Sequence, residues 1–383
     1  PPARFGKLYR DELKHSKQIT VFLNCNVTNI KTDETGENVI AVEAKTLEGN
    51  NHIFYADHFV LATGGIENAR LLLLSNDVQK RGLGNDNDLV GRYFMDHPRL
   101  LIGSVRFADK WKYNRLYDMK YNYHHRFVAA NGTCIAGQLA LSRKVQEEEG
   151  ILNGRICFFS FFPGENSNAV SALLRYKQAI TKKNKHDFKA IKDMFSILTN
   201  PFDVSSYVAT RFVRPRFLIT DTKIQVLIEQ QPDFDNRVSL SKEIDSLGLH
   251  RVKVTWKPGE MEKRTFDKTL QVLATQLKQH KLVEKIDIGE KLEDAEWPSS
   301  LQGTWHHMGT TRMHQSPKHG VVDSNCKVYG ISNLFVAGSS VFTTSGPNFP
   351  TITLTALAAR LSDHLSLLCR KKPELINSGT NSK

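Results

Sequence analysis

The chain is poor in cysteine and places none of it in a CxxC pair. Cys25, Cys134, Cys157, Cys326 and Cys369 are scattered and odd in number. That argues against a disulfide framework or a thiolate zinc site, and fits a reducing compartment better than an oxidising one. No apolar run is long enough to span a bilayer. Internal repeats and low-complexity segments are lacking too, which excludes solenoids and repeat arrays. Pro1-Pro2-Ala3-Arg4 shows neither an initiator methionine nor a signal-peptide pattern, so sequence upstream of Pro1 is expected.

What is present is ordinary globular composition, 40 % apolar and 24 % charged over 383 residues, enough for two or three domains. The formal charge of +12 is spread along the chain. Its densest cluster runs from Leu173 to Asp193 and includes Lys182, Lys183 and Lys185. It reads as one or two basic amphipathic helices with a solvated face, the rival being contact with an anionic surface. No nucleic-acid motif accompanies it, and no nucleic-acid partner is expected.

Periodicity gives a coarse map. RFGKLYRDELKHSKQ has helical spacing, ITVFLNCNVTNIK and VIAVEAKT alternate as strands, and IFYADHFVLAT adds a third strand to a β-meander. That third strand enters Thr63-Gly64-Gly65, followed by a helix, IENARLLLLSN, with Leu71 to Leu74 buried. RICFFSFFPG and TKIQVLIEQQP are strand-like, NRVSLSKEIDSLGLHRVKVTW is two strands around an acidic Gly-containing loop, and RTFDKTLQVLATQLKQHKL is a long amphipathic helix. Near the end, LFVAG is a strand, and a loop of small residues leads to the helix TITLTALAARLSDHLSLLC. Small residues let backbone approach a ligand, and a helix start offers unpaired N–H groups that suit an anion.

The chemistry concentrates in TWHHMGTTRMH, Thr304 to His314. Adjacent histidines in a turn can be a base, metal ligands, or structural polar groups. Neighbouring side chains seldom converge on one metal, and no carboxylate or cysteine stands at a ligand spacing, so no metal is expected.

FVLATGGIENARLLLLS, LVGRYFMDHP, NRVSLSKEIDSLGL with VKVTW, HHMGTTRM, GVVDSNCKVYGISNLFVAGSSVF and PTITLTALAARLSDHL occur in one order across almost the whole chain. Together they resemble the glucose-methanol-choline (GMC) flavoprotein oxidoreductases, close to the branch of sugar and sugar-acid dehydrogenases and pyranose oxidases. The resemblance implies an α/β fold (α+β overall), in which a partial FAD-binding Rossmann-like domain adjoins an antiparallel-sheet substrate domain. It implies a partial FAD domain at residues 1–95, a substrate domain at 96–300, a C-terminal return to the FAD domain at 301–370 and a flexible tail at 371–383. The implied reaction oxidises an alcohol, sugar or sugar acid, with proton loss to a base and hydride transfer to flavin N5. The electron acceptor stays open between oxygen and a quinone or cytochrome, with a lean towards a dehydrogenase. In the family pattern H-x-x-G-T-x-x-M the first histidine is the base, which here is His306, with His307 lining the substrate side. Val27, Ala62, Thr63, Gly64, Gly338, Ser339, Pro350 and Thr351 fall where the family holds FAD. His97 reads as structural or supporting, and Arg312 as a partner of a carboxylate or of ligand. Isomerisation, as in the cholesterol-oxidising branch, would need a carboxylate above the flavin, and none is evident in these motifs.

Two departures stand out. The family places asparagine or histidine directly before Pro-Thr, but here Phe349 precedes Pro350-Thr351 and Asn348 is one residue early. Asn348 is the expected catalytic partner and Phe349 a substrate-side residue. The G-x-G-x-x-G fingerprint that cradles the FAD pyrophosphate is also missing from these 383 residues. The resemblance therefore implies that about the first third of a family member is absent, the alternative being a non-catalytic fragment or one half of a split flavoenzyme. The 383 residues alone are expected to bind FAD weakly or not at all; flavin absorbance co-purifying with them in stoichiometric amount would contradict this.

Overall fold

The computed structural model describes residues 4–109, 117–119, 136–162, 165, 167–182, 190–212, 219, 221–293 and 295–370. The tail expected at 371–383, Cys134, Lys183 and Lys185 lie outside them. The fold is mixed α/β with antiparallel sheets, and the described chain forms two compact units. One comprises Arg99–Leu227 and Lys263–Leu301; the other comprises Pro2–Pro98, Ile228–Glu262 and Gln302–Lys383.

In the first unit, a five-stranded sheet has the order β11 (Val283–Asp287), β5 (Arg99–Phe107), β8 (Asp221–Ile228), β7 (Gly154–Phe161), β6 (Leu139–Ala140). β5 pairs antiparallel with both β11 and β8, and β6 pairs antiparallel with β7. The long helix α8 (Glu260–Gln279) buries Phe266, Leu270, Leu273 and Leu277, one stripe at helical spacing. The basic segment forms helices α5 (Asn168–Lys182) and α6 (Ala190–Thr199), tied by Arg175 donating to both oxygens of the buried Asp193 at 2.5 and 3.1 Å. Burial pushes the Cys157 thiol up to about 11, against the pull of Arg155, so it behaves as a small core residue.

The second unit holds the meander β1 (Asn26–Thr32), β2 (Val39–Lys45) and β3 (Asn51–Phe54), all antiparallel. Two expectations are corrected here. The strand expected from Ile19 starts only at Asn26, because β2 ends at Lys45, opposite Asn26, and leaves earlier residues no ladder partner. Phe22 instead sets its ring against Phe54, at 4.6 Å between centroids. The run IFYADHFVLAT is two strands, β3 and β4 (Phe59–Leu61). β4 leaves the meander and pairs in parallel with β12 (Leu334–Val336). Asn333 fixes the junction: its side chain receives Val39 N–H and donates to the carbonyls of Val39 and Asp57, while its own carbonyl receives Phe59 N–H.

β4 feeds α3 (Gly64–Leu74), where Ala69, Leu71 and Leu72 are buried with the β4–β12 pair, and Leu73 and Leu74 are half-buried. The C-terminal helix α9 (Thr351–Arg370) turns Leu357, Leu361, Leu365 and Leu368 towards the same cluster. The β9 (Arg237–Ile244) and β10 (His250–Thr255) hairpin is joined to α3 through Arg70, which donates to Asp245 Oδ2 at 2.6 Å and to the His250 carbonyl at 2.9 Å. Burial alone pushes the Asp245 carboxyl up, but Arg70 and the Leu249 and Leu247 N–H groups outweigh it and hold the carboxyl below its ordinary 3.8.

Asp245→Asn is therefore expected to cost about 1.5–3 kcal/mol at neutral pH, read as a lower urea midpoint. The wild-type advantage is complete above the unfolded-state pKa and lost as pH falls through the depressed folded-state value, below 3.8. An advantage that grows on acidification would contradict the assignment.

Candidate active site

The site lies within the second unit and is built around the carboxylate of Asp96, which is 5 % exposed. Thr304 N–H reaches both its oxygens at 3.1 Å, Trp305 N–H reaches Oδ2 at 3.0 Å, and His306 N–H reaches Oδ1 at 3.1 Å. Thr304 Oγ1 donates to Oδ1 at 2.8 Å, and His97 N–H adds a bond of 2.7 Å from the neighbouring residue. The 303–306 segment is thus wrapped around one buried anion. The wrap is tight: a Cβ on Gly303 would collide with Asp96 Oδ2, and Trp305 takes a positive φ of 61° with its side chain 77 % exposed.

The His306 ring follows from this wrap. Its Nδ1 lies 2.9 Å from Thr304 Oγ1, and two rings meet it edge-on, His97 at 5.2 Å and Phe349 at 5.1 Å between centroids. The imidazole is half-buried, whereas His97 is fully buried. Buried Gln230 supports the backbone at Asp96: its Oε1 accepts from Asp96 N–H at 3.0 Å and Trp256 Nε1 at 2.8 Å, and its own N–H donates to Ser345 Oγ at 2.9 Å.

Beyond His306 the loop is locked on both sides. Met308 exchanges backbone hydrogen bonds with Met95 at 3.0 and 2.9 Å. Gly309, Thr311 and Met313 donate to the carbonyls of Ser339, Ser340 and Val341. Ser339 Oγ donates to the His307 carbonyl at 2.7 Å, and Thr310 Oγ1 donates to the Gly65 carbonyl at 2.6 Å. A Cβ on Gly65 would strike the His307 backbone. Asn68, fully buried in α3, joins the two glycine turns: its Oδ1 receives Thr63 N–H and hydroxyl at 2.9 and 2.6 Å, and its amide donates to Ala337 O and Ser340 Oγ.

The structure therefore brings His306, His307, Phe349, the Thr63-Gly64-Gly65 turn and Gly338-Ser339 into one hydrogen-bonded and packed assembly. Ala62 and Thr63 are exposed at its edge. Phe349, 57 % exposed, is the loop residue that meets the imidazole edge-on, while Asn348 is exposed. Pro350 is buried and Thr351 starts α9. The His307 ring lies against Phe94, 5.4 Å between centroids. Val27 sits apart on β1, half-buried against the apolar cluster. Arg312 lies over the Tyr93 ring at 4.1 Å. Asp96, Thr304 and Asn68 escaped sequence reasoning; the signals available were a carboxylate beside His97 and an asparagine on the apolar face of a helix. Among the described residues, no group of histidine, cysteine and carboxylate side chains forms a metal site.

Residues 232–358 match the model of the GMC oxidoreductase family. The chain is 25 % identical over 344 residues to the fructose dehydrogenase large subunit of Gluconobacter japonicus, covering 89 % of this chain and 52 % of that one. It is also 25 % identical over 338 residues to the 2-methyl-1,2-propanediol dehydrogenase of Mycolicibacterium austroafricanum, covering 87 % and 52 %. Among solved structures, formate oxidase from Aspergillus oryzae is similar with a TM-score of 0.54 at 19 % identity, over 94 % of this chain and 63 % of that one. The family match thus covers about a third of the chain, and the chain spans about half the length of the curated relatives it matches.

Asp96→Asn places an amide N–H where only donors converge, and is expected to cost about 1–3 kcal/mol. Gly303→Ala should lower stability as well, by forcing the wrap open. Thermal midpoints for both variants check this, and two unchanged midpoints would contradict the clamp.

Proposed function

We propose that the protein oxidises a CH–OH group of an alcohol, sugar or sugar acid to the carbonyl, with FAD as cofactor and His306 as the base. The observation that carries the reading is the fixed placement of a half-buried imidazole beside two glycine turns that leave room for a ligand. Gly64 and Gly338 have φ of 93° and 120°, and no atom lies within 4 Å of where a Cβ would be at either. Both positions demand glycine by conformation, and the space beyond each is open.

These residues fit a flat cofactor held by backbone. Ala62, Thr63 and Gly64 on one turn, and Gly338 and Ser339 on the other, would hold FAD. Pro350 and Thr351 supply the start of a 20-residue helix, whose unpaired N–H groups and dipole favour negative charge. Val27 would pack near the adenine end. When bound, FAD supplies the acceptor for the hydride leaving the substrate carbon. His306 takes the hydroxyl proton, so the CH–OH group loses one proton and one hydride and becomes C=O. Histidine as a residue type suits proton transfer close to neutral pH. Phe349 and His307 flank the substrate side, and Asn348 supplies a polar group on the same loop to orient the hydroxyl.

In a full-length, FAD-loaded protein that contains this chain, His306→Ala is expected to slow flavin reduction by substrate about 10²–10⁴-fold in stopped-flow measurements. Unchanged reduction would remove the base assignment. Asn348→Ala and Phe349→Ala separate the two loop residues: the first should slow reduction at saturating substrate, the second should mainly raise KM.

A further inference from the structure

Resting on that reading, we propose that Thr304 is a positioning residue. Its hydroxyl, oriented by buried Asp96, fixes the tautomer of His306 with the proton on Nδ1 and the lone pair on Nε2. The inference follows from counting protons. A threonine hydroxyl has one hydrogen to give and two lone pairs to receive. Asp96 is surrounded by donors, the N–H groups of His97, Thr304, Trp305 and His306, so its carboxylate acts purely as an acceptor. The Thr304 hydrogen therefore goes to Asp96 Oδ1, at 2.8 Å. What Thr304 Oγ1 then offers His306 Nδ1, at 2.9 Å, is a lone pair, so Nδ1 must be the donor. A neutral imidazole that donates through Nδ1 carries its basic lone pair on Nε2.

The geometry leaves little freedom for the opposite arrangement. Rotating the hydroxyl hydrogen towards Nδ1 would set the Oγ1 lone pairs against a carboxylate oxygen only 2.8 Å away, with no hydrogen between them. The His306 backbone is itself bonded to the same carboxylate, so the ring and the hydroxyl are held by one anchor. Edge-on contacts from His97 and Phe349 restrict ring rotation about its own axis. A serine at position 304 would keep the relay; a valine of the same shape would not.

The direct test reads the ring rather than turnover. Protein labelled with 15N-histidine shows the His306 nitrogens by long-range proton–nitrogen correlation, assigned by their loss in His306→Gln. The expected result is a protonated Nδ1 and an unprotonated Nε2 above the ring's titration. In Thr304→Val, the ring should shift to the Nε2–H form, and Thr304→Ser should restore Nδ1–H. An Nε2–H tautomer in the unmodified chain, or an Nδ1–H ring that survives Thr304→Val in a protein with an unchanged thermal midpoint, would overturn the proposal. Because the spectrum needs neither FAD nor substrate, it reports on the relay even if His306 proves not to be the base. A second arm uses a full-length, FAD-loaded protein that contains this chain: Thr304→Val should slow flavin reduction more than about tenfold with KM unchanged, and Thr304→Ser should recover most of the rate. A rate unchanged by Thr304→Val would remove the catalytic meaning while leaving the tautomer result standing.

Discussion

A buried carboxylate with no partner is among the most expensive groups a fold can contain, and Asp96 is buried. The cost is offset only because the chain around it is arranged as a set of donors. One hydroxyl and four backbone N–H groups point at its two oxygens, three of the N–H groups drawn from consecutive residues Thr304, Trp305 and His306. Such a turn needs a residue without a side chain ahead of it and a strained residue inside it, and Gly303 and Trp305 meet those needs. The anion dictates the path of the backbone, and the path dictates where the imidazole stands.

The clamp would be of little use if the loop were free on its far side. It is not, because residues 308–313 run as a ladder between Met95 on one side and Ser339–Val341 on the other. Asn68 binds the first glycine turn to the second from beneath. The imidazole and both glycine turns are therefore parts of one rigid piece rather than three loops that happen to be close. For the proposed proton abstraction, such fixed placement matters. Rate depends on holding donor and acceptor within a narrow range of distance and angle, and a displacement on the order of 1 Å costs about 10²-fold.

Much of this was legible in the sequence, and what was not has a physical reason. Elements that depend on local pattern stood out: the meander, α3, the β9–β10 hairpin, α8 and α9 all carry their periodicity in contiguous residues. His306 was marked by its surroundings in the chain. The parallel pairing of β4 with β12 was hidden, since it joins residues more than 270 positions apart and each strand has only three. Ile19 to Cys25 alternate like a strand but lack a neighbour to bond with, and alternation without a partner does not make a strand. Asp96 and Thr304 escaped for the same reason as β4. Each is unremarkable within its own stretch, and their 208-residue separation along the chain conceals that they share a hydrogen bond. A hydrogen-bond network formed on folding leaves no spacing for a reader to find.

The aromatic at position 349 sharpens the role of this network. Where the family pattern has a polar side chain directly before Pro-Thr, this chain sets a phenyl ring 5.1 Å from the imidazole between centroids, and the His97 ring meets the same imidazole at 5.2 Å. Neither ring brings a formal negative charge. In the proposed reaction, taking up the hydroxyl proton turns His306 into a cation. Asp96 is linked to the ring through Thr304 by hydrogen bonds of 2.8 and 2.9 Å. A carboxylate at that remove, shielded from water, favours the imidazolium without taking its proton, because the intervening hydroxyl has none to spare. In the proposed reaction, the buried anion that shapes the loop would thus also support the positive charge on the ring.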